Sequence, residues 1–542
     1  MSPPARSKRR PSPFFLLIVA ALVVRGAVLF PALRSFDADP DDYRRLAENW
    51  AVYNVFGTET TPTAFRPPLY PWTLKTFVFP LTRADERPTD AVSPDPSDLP
   101  DLPVSPNLTR RPAADAESGA FDRYFALSRN AAFALFHWIL GVATVAVVYR
   151  FARRLDLSPK SAAAVGLLVA VDPILLQQSR LAMTETLAAL FAAVLLDATA
   201  AVVARRSAPT PLAFAALGVL FGVSTLCRPA FFAFAGLVFL FFAVRAFAEL
   251  AASRKTGKTG KNSTSGELAV DAPRPDRSNA RRDLLGAALF LVGIGAAVAP
   301  WTLRNLRAFD RPILTTTHGG YTRYLAHNPE IYRHFELSSR RLWDPEPFHR
   351  RRAVEYAAAL ADAGLEPESP EAELFQNRWT SERAAETIRS APRTFLYSVA
   401  FRVGELWRVL PNAVDAEGRP LASPDLEPPK RRLARFAVAA FYSVELTAAL
   451  LGAVVLGVRT FRRRRETPLV AAILRSPWTL GFLLVASVQI PHLVYWTNMR
   501  MRAPLEIFVP ALAIFGVAAL FVFRRSNAAG LTKFNDFSQN SQ

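Results

Sequence analysis

Long apolar blocks separated by short charged connections restrict the folds open to this chain more than any other feature. Hydrophobic residues make up 51% of its 542 residues, and they are gathered into these blocks rather than spread evenly. A helix of about 17–25 apolar residues matches the thickness of the hydrocarbon layer of a bilayer. The sequence therefore predicts an all-α polytopic membrane protein rather than a string of soluble domains.

We count about ten predicted transmembrane helices. They cover approximately residues 14–33, 129–149, 162–176, 186–204, 212–226, 230–247, 284–301, 436–458, 478–496 and 503–523. The first block follows a basic start and could be taken for a signal peptide. It is longer than the apolar core of a signal peptide, and no small-residue cleavage site is apparent, so we expect an uncleaved span.

Basic residues lie at alternate ends of these blocks, as in Arg153-Arg154, Arg205-Arg206 and Arg524-Arg525. This is the positive-inside pattern, so the net charge of +19 is explained by membrane orientation and not by nucleic-acid binding. The pattern predicts a multi-pass protein of the inner (cytoplasmic) membrane with both termini in the cytoplasm. The single cysteine, Cys227, excludes an internal disulfide and a cysteine-based metal site.

This orientation predicts the organisation of the chain. We expect a basic cytoplasmic tail (1–13) and a transmembrane module (14–302) with an outer loop at 34–128 and a cytoplasmic loop at 251–282. An outer segment (303–435), mostly helical, the C-terminal transmembrane helices (436–525) and a cytoplasmic tail (526–542) follow. The acidic, proline-rich stretch at 83–119 is interpreted as an extended insertion without chemistry. Two large outer segments indicate chemistry at the outer surface.

The first outer loop begins with four aspartates among residues 37–42. After Pro40, apolar residues at helical spacing predict an amphipathic helix lying along the membrane surface. The aspartates could simply be a solvated helix start. Further on, Arg66 stands in a run with Pro67 and Pro68, which the prolines make rigid. An arginine there can pair with a phosphate or can merely extend its side chain to the interface.

Several motifs in chain order resemble the GT-C superfamily of membrane glycosyltransferases. They are an acidic residue four positions before Tyr43 followed by Leu-Ala-Glu-Asn, then Arg-Pro-Pro-Leu-Tyr-Pro from Arg66, Thr184-Glu185, Arg228-Pro229, Pro-Trp-x-x-Arg-Asn ending at Asn305, and the Arg- and Pro-containing entry to the last span. In particular the chain is similar to bacterial proteins related to protein O-mannosyltransferases and to the lipid A aminoarabinose transferase. The resemblance implies transfer of a sugar from a polyprenyl-phosphate donor to a lipid, glycan or protein acceptor on the outer face of the membrane.

The resemblance also implies roles for single residues. Asp39 is predicted as the base because it lies four residues before Tyr43, with the neighbouring Asp41 and Asp42 as alternatives. Glu185 is predicted as a second acidic group, since an ionisable residue at the mouth of a span is a functional candidate. The predicted phosphate ligands are Arg66, Arg304 and Arg228, while Arg500 and Arg502 could bind phosphate or act as anchors. Tyr43, Tyr70 and His318 are predicted to contact substrate.

No metal ligand set is predicted. Acidic clusters can bind a divalent cation, and the sequence leaves a cofactor unassigned. The expected partners are the polyprenyl-phosphate sugar, membrane lipids and an acceptor. A secondary transporter would be expected to have charged residues in the middle of its spans, together with internal repeats. Arg25 and Asp197 are charged residues inside predicted spans. A non-catalytic envelope-assembly protein is the other alternative.

Overall fold

A computed structural model describes residues 11–83, 127–203, 210–259, 277–337, 343–414, 421, 424–462, 464 and 468–521. Nearly all of the insertion expected at 83–119 and the C-terminal tail lie outside these residues. Within these ranges the chain forms helices and two isolated β-bridges but no strand, and this confirms the predicted all-α class.

The helices follow one another through the described ranges. They are α1 (Pro13–Leu29), α2 (Tyr43–Val52), α3 (Leu69–Thr73), α4 (Arg129–Arg154), α5 (Pro159–Val171), α6 (Pro173–Gln178), α7 (Glu185–Val203), α8 (Pro211–Cys227), α9 (Phe231–Thr259), α10 (Arg277–Phe309), α11 (Gly319–Ala326), α12 (Pro329–Glu336), α13 (Glu346–Asp362), α14 (Pro370–Ser390), α15 (Pro392–Leu406), α16 (Pro429–Arg462), α17 (Leu469–Arg475), α18 (Trp478–Gln489) and α19 (Val509–Phe521). The segment Met499–Ile507, which precedes α19, is a 3-10 helix.

Six of the described helices are long and apolar enough to cross a membrane, namely α1, α4, α7, α9, α10 and α16. The number rises to eight if two bent pairs each form one span: α17 with α18, bent by 84°, and Met499–Ile507 with α19, bent by 60°. The apolar helices α5 and α8 are shorter. Each predicted span coincides with one of these elements, but the total of about ten spans stays a prediction.

One predicted connection is shorter than expected. Helix α9 continues to Thr259 and α10 already begins at Arg277, so both extend into the segment interpreted as a cytoplasmic loop at 251–282.

Many helices begin at the same kind of dipeptide, a small polar residue followed by proline. The polar side chain accepts a hydrogen bond from a backbone N–H of the first turn, and proline fits the first helical position because that N–H has no partner inside the helix. The pairs are Ser12-Pro13, Ser158-Pro159, Asp172-Pro173, Thr210-Pro211, Asn328-Pro329 and Ser369-Pro370. These starts are encoded locally, so the helix boundaries do not depend on the membrane alone.

Helices α8 and α10 approach each other closely because glycines line their contact. A Cβ atom on Gly218 would overlap the carbonyl oxygen of Phe290, and one on Gly293 would overlap that of Ala215. Small residues allow helix backbones to pack closely where no hydrophobic effect drives association. This contact fixes the turn after α8, which carries Arg228.

Helices α11, α13 and α14 form a small core of their own, made of Tyr324, Phe348, Trp379 and Ala384. This agrees with the predicted helical character of the outer segment. Helix α14 holds it against the first outer loop, because the carboxylate of Glu373 accepts hydrogen bonds from Thr63 Oγ1 at 2.6 Å, Ala64 N at 3.0 Å and Thr317 Oγ1 at 2.5 Å.

Helix α2 is present with the predicted apolar side. Tyr43, Leu46 and Ala47 are all buried. They pack against other parts of the protein, and so the location of α2 at the membrane surface remains a prediction.

Because Gly218 packs directly against the backbone of α10, replacing it should weaken the helix bundle. We expect Gly218→Ala to lower the free energy of unfolding by about 1–3 kcal/mol, because the added methyl group meets backbone atoms that cannot move aside cheaply. The measurement is thermal unfolding of the purified protein in detergent. Gly295→Ala is the matched control on α10, since a Cβ there meets no described atom within 4 Å. An equal loss in both variants would contradict this account of the contact.

Candidate functional site

Five charged side chains form an alternating row, which we call the charge chain: Arg66, Asp41, Arg500, Glu185 and Arg228. Nη2 of Arg66 lies 3.0 Å from Oδ1 of Asp41, and Nη2 of Arg500 lies 3.4 Å from Oδ2 of the same carboxylate. Oε1 of Glu185 lies 3.8 Å from Nε of Arg500 and 3.6 Å from Nη1 of Arg228. With all five ionised, the row carries one positive charge in excess.

The charge chain joins four separate parts of the sequence. Asp41 and Arg66 come from the first outer loop, and Glu185 is the first residue of α7. Arg228 lies in the turn between α8 and α9, and Arg500 belongs to Met499–Ile507, directly before the last helix. A carboxylate at a helix start is favoured by the helix dipole, which helps to keep Glu185 in place although only 2% of its side chain is exposed.

The aspartate that enters the charge chain is Asp41 and not Asp39. Oδ2 of Asp39 accepts a hydrogen bond from the backbone N–H of Arg45 at 3.0 Å, so Asp39 caps the start of α2. Burial raises the pKa of its carboxyl group, while the backbone N–H groups of Arg45 and Arg44 act in the opposite direction. The side chain of Asp42 is 56% exposed and pairs with Arg45 at 3.1 Å. Of the three aspartates considered for the base, Asp39 and Asp42 thus lie outside the row of arginines.

The backbone explains this selection. Asp42 has a φ of 60°, in the left-handed region that aspartate tolerates better than most residues. Its N–H donates to the carbonyl of Asp39 at 3.1 Å, closing a turn. The turn separates the two side chains, so that Asp41 faces Arg66 and Arg500 while Asp42 faces Arg45.

Arg66 is fixed by aromatic rings as well as by Asp41. Its guanidinium carbon lies 5.6 Å from the ring centre of Tyr43 and 5.4 Å from that of Phe65. Both separations are within cation–π range. Burial raises the pKa of the buried Tyr43 hydroxyl, which therefore stays neutral. The predicted positions of Arg66 and Tyr43 in one site agree with this arrangement.

His318 ends the row beside Arg66. Its Nε2 lies 3.4 Å from Nη1 of Arg66, and since a guanidinium can only donate, this nitrogen must accept. Burial, and then the charge of Arg66, hold the pKa of His318 well below its usual range, so the ring is neutral. A neutral ring that accepts through Nε2 carries its proton on Nδ1. That N–H is buried and finds no acceptor among the described residues, so it can donate to a ligand.

Other atoms of the row are also left without hydrogen bonds. They are Nε of Arg66, Nε of Arg500, Nη1 of Arg228 and Oε2 of Glu185, each buried and without a hydrogen-bond partner in the described ranges. Unsatisfied buried polar atoms are costly and rare. Several in one place indicate a site built for a polar ligand, here one that the guanidinium groups would attract as an anion.

A pocket with a mostly apolar lining adjoins the charge chain at Arg228. It is lined by Arg228, Ala230, Phe231, Ser487, Val488, His492, Met501 and Pro504. The guanidinium of Arg228 donates to Sδ of Met501 at 3.0 Å, at the wall of the pocket. A charged group thus stands at one side of an otherwise mostly apolar space.

Two predicted ligands are engaged elsewhere. Arg304 donates to the backbone carbonyls of Thr63 at 2.8 Å and Phe56 at 2.9 Å, so it braces the first outer loop and does not belong to the charge chain. The hydroxyl of Tyr70 lies 2.8 Å from Nε2 of His137, and its side chain is fully buried. Both side chains thus have protein partners in the structure, and their roles as phosphate and substrate ligands stay predictions.

Sequence reasoning ranked Asp41 and Arg500 below other residues. The four aspartates of the first loop are equivalent by composition, and no spacing rule separates Asp41 from its neighbours. By sequence alone Arg500 could equally be an anchor, and only its contact with two carboxylates distinguishes it. A separate group of buried carboxylates, which includes Glu445 inside a predicted span, was not recognised; an ionisable residue within an apolar block was the available signal.

A protein-family model matches part of the chain. The family is described as dolichyl-phosphate-mannose-protein mannosyltransferase, and it covers residues 110–265 of this chain. None of the curated protein sequences compared with the chain matches it significantly.

Solved structures with a similar course of the chain come from the oligosaccharyltransferase of Archaeoglobus fulgidus. The AglB complex with an inhibitory peptide and a dolichol-phosphate has 12% sequence identity and a TM-score of 0.41, and the match covers 95% of this chain and 52% of that one. The apo form has 14% identity and a TM-score of 0.42, with 95% and 52% covered. A complex with Zn and sulfate has 14% identity and a TM-score of 0.41, with 96% and 51% covered. The chain thus spans about half the length of these proteins.

The family match includes Glu185 and Arg228 of the charge chain, and the helices on both sides of them. It confirms the resemblance to the GT-C membrane glycosyltransferases that the sequence predicts.

Proposed function

We propose that the protein is a membrane glycosyltransferase that takes a sugar from a polyprenyl-phosphate donor and transfers it to an acceptor at the outer face of the membrane. The observation that carries the proposal is the charge chain. It combines a carboxylate that can take up a proton with an excess of guanidinium groups that can hold a phosphate, beside a small pocket with a mostly apolar lining.

The arginines suit the donor phosphate. A polyprenyl phosphate leaves as an anion, and cations aimed at that charge lower the barrier of the reaction. Arg228 and Arg500 each have an unsatisfied buried nitrogen, and Arg228 borders the pocket. A phosphate at these two side chains would direct its polyprenyl tail along Phe231 and Pro504.

Asp41 suits the role of the base. The acceptor hydroxyl or amine loses its proton as its oxygen or nitrogen attacks the anomeric carbon, and the bond to the phosphate oxygen breaks on the opposite side. The proton passes to the carboxylate of Asp41, and the electron pair leaves with the phosphate. His318 can donate its Nδ1–H to a sugar hydroxyl, while Glu185 holds Arg228 and Arg500 in place.

The orientation of the chain is part of the proposal. Clusters of arginine at alternate span ends favour cytoplasmic termini in the inner membrane. In that orientation the charge chain lies at the opposite end of the spans, on the outer side. Membrane lipids then surround the pocket, and the acceptor arrives from outside. A transporter or a non-catalytic assembly protein is not favoured by the family match.

The function can be tested with purified protein and radiolabelled polyprenyl-phosphate sugars, hexoses and pentoses in turn. Membranes of the expressing cells supply the acceptor. Loss of label from the lipid fraction together with its appearance in a glycan, lipid or protein fraction would support the proposal. Binding of every donor without turnover, or no binding at all, would contradict it.

Asp41 and Asp39 give a matched pair of variants. Asp41→Asn should lower the turnover rate at least about 100-fold, because the amide cannot take up the acceptor proton. Asp39→Asn should lower it only a few-fold, because asparagine caps a helix nearly as well as aspartate. The measurement is the initial rate of transfer at saturating donor, with membrane insertion checked for each variant. A larger loss in Asp39→Asn would return the role of the base to Asp39.

Arg228 should affect the donor more than the acceptor. We expect Arg228→Gln to raise KM for the donor about tenfold or more, because a hydrogen bond to a charged group is lost. The measurement is the rate of transfer as a function of donor concentration. Arg180→Gln is the control, since Arg180 is an exposed arginine shortly before Glu185. Unchanged donor KM in Arg228→Gln would refute the assignment of the phosphate to this end of the row.

A further inference from the structure

A second cluster of charged residues lies apart from the charge chain and is fully inside the protein. It contains Asp172 between α5 and α6, Glu445 in α16, and Glu506 in Met499–Ile507. One carboxylate oxygen from each lies within 4.8 Å of the other two. The exposed fractions of these residues are 0%, 4% and 0%. We call them the buried triad.

Protein groups satisfy only part of the triad. Asp172 accepts from the backbone N–H of Leu175 at 2.7 Å and from the hydroxyl of Tyr442 at 3.0 Å. Glu506 accepts from Nε of Arg502 through one oxygen. The other oxygen of Glu506 and both oxygens of Glu445 lack a hydrogen-bond partner within the part of the chain that the structure describes. Glu445 therefore points an unpartnered carboxylate into an already acidic place.

The neighbouring guanidinium groups do not balance this charge. Arg502 pairs with Glu506 and also donates through Nη1 to the backbone carbonyls of Leu406 at 3.3 Å and Arg408 at 3.1 Å. Arg25 acts on Asp172 only through its charge, and its Nη2 donates to the carbonyl of Val169 at 3.0 Å. Three carboxylates exceed two guanidinium groups, so negative charge remains in excess. Uncompensated charge in a protein interior is expensive.

We propose that the buried triad binds one divalent cation, with calcium preferred over magnesium. Carboxylate oxygens are the ligands that hard divalent cations prefer. Calcium lies about 2.3–2.6 Å from its oxygen ligands, so oxygens on opposite sides of it are about 4.6–5.2 Å apart, and those at smaller angles are closer. Three oxygens that all lie within 4.8 Å of one another are therefore close enough to share one such ion. Magnesium demands near-octahedral geometry and usually keeps several waters, so a closed site with three carboxylates suits calcium better.

The position of the site gives it a structural role for the charge chain. Met499–Ile507 carries Arg500, which faces Asp41, and Glu506, which belongs to the triad. A cation bound by Glu506 and Asp172 holds this short segment against α5 and α6. It also holds α16, of which Tyr442, Glu445, Ala449 and Gly452 are buried. The ion is thus placed to position Arg500 without contact to the substrate.

The test is binding of calcium to the purified full-length protein in detergent after treatment with a chelator. We expect one radioactive calcium ion bound per chain in equilibrium dialysis. Addition of calcium should raise Tm by at least about 3 °C, because a ligand that binds only the folded state stabilises it. Magnesium should raise Tm less, and potassium should have no effect.

Glu445→Gln and Glu427→Gln form a matched pair. The first removes the unpartnered carboxylate and should abolish the rise in Tm with calcium. The second removes a buried carboxylate at the entry to α16, which pairs with Arg435 at 2.8 Å outside the triad, and should preserve that rise.

Two outcomes would overturn the proposal of a calcium site. If the wild-type protein binds no calcium in dialysis at millimolar concentration, the triad holds protons only, and this result does not depend on any variant folding. A rise in Tm that persists in Glu445→Gln would assign the ion to another place. None of these measurements uses sugar transfer, so the outcome is independent of the proposed enzymatic function.

Discussion

The ion pairs of Asp41 with Arg66 and Arg500 are the interaction on which the arrangement of the site depends. They connect the first outer loop to the segment before the last helix, which are more than four hundred residues apart in the chain. The side chain of Asp41 is only 18% exposed, so water screens these pairs weakly. Loss of the carboxylate would leave two partly buried guanidinium groups facing each other. Glu185 repeats the same device one step further along the row, and the alternation of charge is what allows three arginines to stand beside one another.

Much of the fold and part of the candidate site could be predicted from the sequence, because the signals for them are local. Apolar blocks set the helices, and polar–proline pairs set many of their starts. Glu185 and Arg228 lie next to predicted spans, and Arg66 lies in a loop predicted on the same side of the membrane; the structure brings these three together. Ends of spans on the same side of a membrane must lie in one thin layer, which leaves few alternatives.

The other features of the site depend on contacts between distant residues or on single backbone angles, which the sequence does not reveal. Asp41 faces the arginines because Asp42 adopts a left-handed conformation, and nothing in a run of aspartates reveals which of them does so. Arg304 and Tyr70 could have bound substrate by their chemistry. Arginine donates equally well to carbonyl groups, and the oxygen atoms of Phe56 and Thr63 happen to lie within its reach. Only the packed structure determines which acceptor is present.

The charge chain and the buried triad have opposite excess charge, and their surroundings explain why one fold can keep both. The arginines of the charge chain are between 16% and 30% exposed, so a net positive charge is tolerated until an anion arrives. The triad is closed, and its charge must be balanced before the helices around it can pack. Met499–Ile507 contributes Arg500 to the first and Glu506 to the second. Since a short 3-10 segment with imperfect hydrogen bonds is weakly stabilised by itself, its two ends are held by charges on either side. The residue that would meet the phosphate thus owes its position to a cluster that the phosphate never touches.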